Sequence, residues 1–156
     1  MAPWADVLYG CDERWWREYF VEADRAFRGE MWTINENARD RFGLNWIRGG
    51  PIDGLSRAHD SIRTGRNSGF QAICLAYLFG AVRILLLGYD FQRTDGRSHW
   101  HGNHPRGLGN GGSFPRWCET MTTLAAELEQ EAIEVYNCTR QTALTCFRRC
   151  ALESVL

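Results

Sequence analysis

Lysine is absent from this chain: all 18 basic residues are arginine. That excludes chemistry that turns on a lysine amine. A P-loop sets a lysine on its phosphates, and Schiff-base or pyridoxal reactions need a primary amine. Any anion held here is held by arginine forks, backbone N–H groups or a metal. A GC-rich coding genome would give the same bias, and the exclusion stands either way. Long apolar runs are missing too, since nothing approaches the roughly 20 residues that span a bilayer. The amino terminus, MAPWADVLYGCDERWW, has no basic n-region and no cleavable apolar segment. That predicts no signal peptide and a cytoplasmic protein. Internal repeats and low-complexity tracts are also lacking. A net charge of −1 gives no overall pull toward nucleic acid or an anionic membrane.

The six cysteines (Cys11, Cys74, Cys118, Cys138, Cys146, Cys150) form no C-x-x-C pair. They read as thiols in a reducing compartment, most of them buried, and not as a disulfide framework. Cys146 and Cys150 are spaced to share a helix face, a weak metal signal without a nearby histidine.

What is present suits one α/β domain spanning residues 1–156. Its centre is NSGFQAICLAYLFGAVRILLLGYD, residues 67–90. Asn67 and Ser68 are good N-caps, and Phe70, Ile73, Cys74, Tyr77 and Leu78 mark one apolar helix face. Gly80 stops that helix as a C′ glycine. Residues 82–88 then read as a strand buried on both faces, as in a parallel sheet. Asp90 follows at its carboxyl end, where open α/β sheets place their ligands.

Taken in order, residues 5–10 predict a strand ending at Cys11-Asp12, and residues 13–20 a helix rich in aromatics. Residues 31–35 and 44–47 predict short strands around a helical turn at 37–42, and residues 49–65 a surface loop. A long glycine-rich loop covers residues 91–112, and a helix with Trp117, Met121, Leu124, Ala125 and Leu128 as its stripe follows to about 132. Residues 133–136 are the next strand, with Asn137 at its end, and the tail predicts a turn and a short helix. The alternation predicts a mostly parallel sheet.

Three features could carry chemistry. The helix start at Asn67-Ser68-Gly69 offers free N–H groups and a positive dipole end to a phosphate or carboxylate; a plain capped helix is the other reading. Gly65 and Gly69 would admit a ligand close to the backbone. Asp90, and less directly Asp12, could hold a ribose hydroxyl or a metal, or could cap the following turn. His99, His101 and His104 form an H-x-H-x-x-H cluster that could supply a general base or substrate contact, ligate a metal, or pack around Trp100.

Ser68-Gly69, the strand ending LLLGYD, the loop SHWHGNHP and the late VYNCT together carry a resemblance. The chain resembles a group of small proteins of tailed phages and prophages, some labelled morphogenetic. More distantly it is similar to the 6-hydroxymethylpterin diphosphokinase-like proteins and the Rossmann-like bacterial sialyltransferases. The resemblance implies a three-layer Rossmann-like domain with a nucleotide or sugar nucleotide over the strand ends, and possible glycosyl or phosphoryl transfer. Ser68, Gly69, the adjacent Asn67 and Asn137 would then lie at the nucleotide, with His99 or His101 as catalytic base; the strand-end positions add Asp12 at the ligand and Asp90 as a catalytic residue. The pattern departs from those enzymes in one respect: no early strand with a Gly-rich phosphate turn precedes residue 5. Such a gap would leave a sheet edge open to a second copy. Two alternatives stand beside the transferase. One is a non-enzymatic phage accessory or assembly protein that binds partners through residues 15–20, in the host cytoplasm. The other is a metal-dependent hydrolase using His99, His101 and His104.

Overall fold

The computed structural model describes residues 2–96 and 113–156. Strands and helices alternate through most of it. Strand β1 (Val7–Tyr9) leads to helix α1 (Glu13–Ala26), β2 (Glu30–Thr33), α2 (Glu36–Phe42) and β3 (Asn45–Trp46). Two short strands follow, β4 (Arg48–Gly49) and β5 (Ser61–Ile62), then α3 (Ser68–Leu78) and β6 (Arg83–Leu86). Helix α4 (Phe114–Gln130), β7 (Glu134–Asn137), β8 (Arg148–Arg149) and a 3₁₀ turn at Leu152–Ser154 complete it. Among the described residues no helix is long and apolar enough to cross a membrane.

Every strand pairing among the elements named above is parallel, as the alternation predicted. The expected single sheet is not what the hydrogen bonds make. They define three small sheets, β1-β2-β3, β4-β5 and β6-β7-β8. Strands of two to four residues carry few ladder bonds, and each sheet is correspondingly narrow. Between the first two sheets the chain hands over directly. Ile47 N–H donates to Thr33 at 3.0 Å, and Arg48 N–H then donates to Asp60 at 3.3 Å. One run, residues 45–49, thus serves β2 with its first half and β5 with its second.

Helix α3 starts and stops by local chemistry. The Asn67 side chain accepts from Phe70 N–H at 3.0 Å, which satisfies one of the orphan donors of the first turn. At the other end Gly80 takes φ +86°, Gly80 N–H reaches Tyr77 and Ala81 N–H reaches Ala76. That bond pair is a Schellman motif. The same motif closes α4, where Ala132 N–H bonds Glu129 and Ile133 N–H bonds Leu128. There the left-handed residue is Ala132, at φ +56°.

The main core gathers Phe70, Ile73, Cys74 and Leu75 of α3 with Ile84 and Leu86 of β6 and Met121, Leu124 and Leu128 of α4. Ile47, Leu55, Ile62, Leu144 and Phe147 join it from the shorter elements. A second cluster, Trp16, Ala23, Ala38 and Leu44, lies under α1 and α2. Burial of apolar area at roughly 25 cal/mol per Å² drives both. Strand β6 is not buried on both faces as its composition suggested. Arg83 is exposed, and Val82 and Leu87, just outside the strand, are 74% and 58% exposed. Its core side rests on Ile84 and Leu86 alone. The aromatic run at the start of α1 is largely core: Trp16 is fully buried, with Trp15 and Phe20 packed around it.

Candidate functional site

The carboxyl end of β1 is shaped by Trp16. Its indole N–H donates to the Gly10 carbonyl at 2.9 Å, and a Cβ on Gly10 would meet that ring at 3.0 Å. The chain therefore packs tightly on Trp16 at Gly10, and Cys11 and Asp12 follow at the strand end. Asp12 occupies the N-cap position of α1, yet its carboxylate makes no capping hydrogen bond. That leaves an exposed carboxylate without the capping role that competed with function in the sequence.

Cys11 is where two distant segments meet. Its thiol feels both the Ser68 side chain, on the first residue of α3, and Asp12. Burial, and then the Asp12 charge, push the thiol up to about 11, so it is protonated at neutral pH. Just behind it, the Tyr9 hydroxyl donates to Gln71 Oε1 at 2.7 Å, while Gln71 Nε2 donates to the Thr64 carbonyl at 2.6 Å. Gln71 is almost wholly buried, and both ends of its amide are used. This pair of bonds fixes β1 against the start of α3.

The end of β6 arrives from the other side. The Tyr89 hydroxyl donates to the Gly69 carbonyl at 3.0 Å, and its backbone N–H donates to Thr139 Oγ1 at 2.9 Å. Gly69 owes its lack of a side chain to this packing, since a Cβ there would sit 3.1 Å from the Tyr89 ring and 2.9 Å from Asn67 Oδ1. The space at Gly65 (φ +50°) is likewise filled, by the Phe70 ring, which a Cβ would overlap at 2.1 Å. Both glycines serve internal contacts; the room expected for a ligand at their Cα atoms is taken by aromatic rings.

Asp90 is half-buried, and its carboxylate accepts from Thr94 Oγ1 at 3.0 Å. It lines an open cleft of about 500 Å³ together with Gly88, Thr94 and Asp95 on one wall and Thr139 and Arg140 on the other. The cleft thus lies across the carboxyl ends of β6 and β7. Asn137, expected at the ligand, is fully buried. Its Oδ1 accepts from Thr139 N–H at 3.0 Å and its Nδ2 donates to Thr142 Oγ1 at 3.3 Å. The amide is committed to shaping the loop that forms the cleft wall.

Of the predicted residues, then, Ser68 and Asp12 come together around Cys11, while Gly69 and Asp90 are linked through Tyr89 and its loop. Asn67 caps the helix between them. His99, His101 and His104 lie outside the described residues. Among the described residues no group of three or more His, Cys, Asp or Glu side chains is placed to hold a metal ion. Cys11 and Arg140 escaped the sequence reading. Position just past a strand end was the one signal both carried.

Comparison with protein-family models, with curated proteins and with solved structures found no match.

Proposed function

We propose that this protein binds a nucleotide-type ligand, a nucleotide or sugar nucleotide, over the carboxyl ends of its strands, and uses it in glycosyl or phosphoryl transfer. The observation that supports this is the convergence at the amino terminus of α3. Cys11, just past β1, is influenced by Ser68, and Tyr89, just past β6, bonds Gly69. A helix N-terminus framed by two strand ends is the arrangement in which α/β proteins hold phosphate. In this reading Ser68 and the first N–H groups of α3 hold the phosphate. Asp90 orients a ribose or sugar hydroxyl from the cleft wall, and His99 or His101 takes the acceptor proton. A divalent metal on the loop histidines is the hydrolase variant of the same proposal.

The strand arrangement fits. Were β1 to lie beside β6, the two three-stranded sheets would join as 3-2-1-6-7-8, matching the doubly wound 3-2-1-4-5-6 order in sequence rank. A β1 edge left open would instead accept a second copy, giving the homo-oligomer. Light scattering separates these: one monomeric species at micromolar concentration removes the oligomer.

Isothermal titration tests the ligand, using cytidine, uridine and guanosine phosphates and their sugar conjugates. Binding should also raise the melting midpoint, since a ligand at about a hundred times its Kd adds roughly 2.7 kcal/mol. The expected result is a heat with at least one nucleotide, abolished in Ser68→Trp and weakened in Asp90→Asn. Folded protein that gives no heat with any of them sinks the proposal.

A further inference from the structure

Cys138 and Cys150 stand with their sulfurs 3.6 Å apart. All six cysteines are free thiols, and this contact follows from strand register. Strands β7 and β8 pair Tyr136 with Arg148 and Asn137 with Arg149, so Cys138 and Cys150 are the next positions on the same ladder. Neighbours in register on parallel strands project to the same side, which is why residues twelve apart in sequence meet. The sequence spacing had instead paired Cys146 with Cys150 on a helix face. The chain between them is strand β8, which breaks that face.

We propose that Cys138 and Cys150 are a reversible dithiol–disulfide site, oxidised by low-molecular-weight disulfides. Adjacent strands lie about 4.8 Å apart, inside the Cα separation of roughly 4.4–6.8 Å that a disulfide spans. The sulfurs must close by only about 1.5 Å to reach a bond of ~2.05 Å. Both residues are half-buried and line one open groove, so a small reagent reaches them. In the exchange, one protein thiolate attacks the reagent's S–S bond, forming a mixed disulfide and releasing one small thiol. The second protein thiol gives up its proton and attacks the mixed disulfide, expelling the other small thiol. The protein pair loses two electrons and two protons, and the reagent disulfide becomes two thiols.

The bond would fasten β8 to the loop that walls the cleft. Arg149 already reaches across, its Nη2 donating to the carbonyls of Thr139 at 3.3 Å and Arg140 at 2.9 Å. Oxidation would make that attachment covalent and hold Thr139 and Arg140 in place. This inference is independent of the nucleotide reading.

The test treats the intact protein with glutathione disulfide, quenches with acid, alkylates remaining thiols and maps tryptic peptides by mass spectrometry. Cleavage after Arg140 and Arg149 places Cys138 and Cys150 on different peptides. Cys118 shares the Cys138 peptide, so Cys118→Ser is run in parallel. The expected result is a Cys138–Cys150 cross-linked peptide in both proteins, reversed by dithiothreitol, with a melting midpoint raised by about 5 °C. In Cys150→Ser, whose fold is checked by circular dichroism, Cys138 should stop at the glutathione mixed disulfide. The proposal is overturned if both cysteines remain alkylatable, if each carries its own glutathione, or if either bridges to a different cysteine instead.

Discussion

The Tyr89 hydroxyl donates to the Gly69 carbonyl at 3.0 Å, tying the carboxyl end of β6 to the first turn of α3. The bond joins the two segments on which the proposed site depends. Tyr89→Phe keeps the ring that packs on Gly69 and removes only the donor. It should cost about 1 kcal/mol, the net worth of a typical hydrogen bond. Urea denaturation measures this, and an unchanged midpoint would show that ring packing alone holds the segments together.

Asn137 should be intolerant of change although it touches no outside group. Its amide holds Thr139 N–H and Thr142 Oγ1 from a fully buried position. Asn137→Ala leaves a buried backbone donor unpaired and opens a small cavity, an expected loss of about 2–4 kcal/mol. Hydrogen exchange should show the damage concentrated in residues 137–144. Uniform loss of protection across the chain would count against this local role.

Ala132 offers a stabilising substitution. It is exposed and holds the left-handed position of the α4 Schellman motif at φ +56°, where a Cβ is unfavourable. Ala132→Gly should raise stability by about 0.5–1 kcal/mol, even though glycine costs more entropy to order. Chemical denaturation decides the sign.

Alkaline pH should destabilise the fold before it denatures it. Burial raises Cys11 and Cys146 to about 11 and Cys74 to about 12, from an ordinary 9.0. The buried hydroxyls of Tyr9 and Tyr89 are pushed upward as well. Below about pH 9 folded and unfolded chains hold these protons alike, so nothing is lost. Above it the unfolded chain releases thiol protons that the folded chain keeps, and stability falls as pH rises through the folded values. The urea midpoint should therefore drop steadily between about pH 9 and 11. A flat midpoint over that range would mean that these thiols titrate freely in the fold.

The helices and most strands were legible because their signals are local. Asn67 caps α3, Gly80 stops it, and Trp117, Met121, Leu124 and Leu128 bury one stripe of α4, all from chemistry within a few residues. The two-residue strands β5 and β8 are too short to show any alternation, and they exist because β4 and β7 pair with them. At the site, Ser68 and Asp90 could be named from their positions at element ends, but Cys11 could not be distinguished from the other cysteines.

What the sequence determined by itself was the succession of the longer elements, the parallel character of their pairings and the lack of any lysine chemistry. Those follow from periodicity, capping and composition. Only the tertiary structure decided that Cys11 meets Ser68, that Tyr89 and Phe70 fill the space beside Gly69 and Gly65, and that Cys138 faces Cys150. Strand register and ring packing bring such partners together, and each joins separate turns or strands, so no local pattern announces them. The division of the strands into three short sheets belongs with these, because hydrogen-bonded ladders depend on how far each strand runs beside its neighbour.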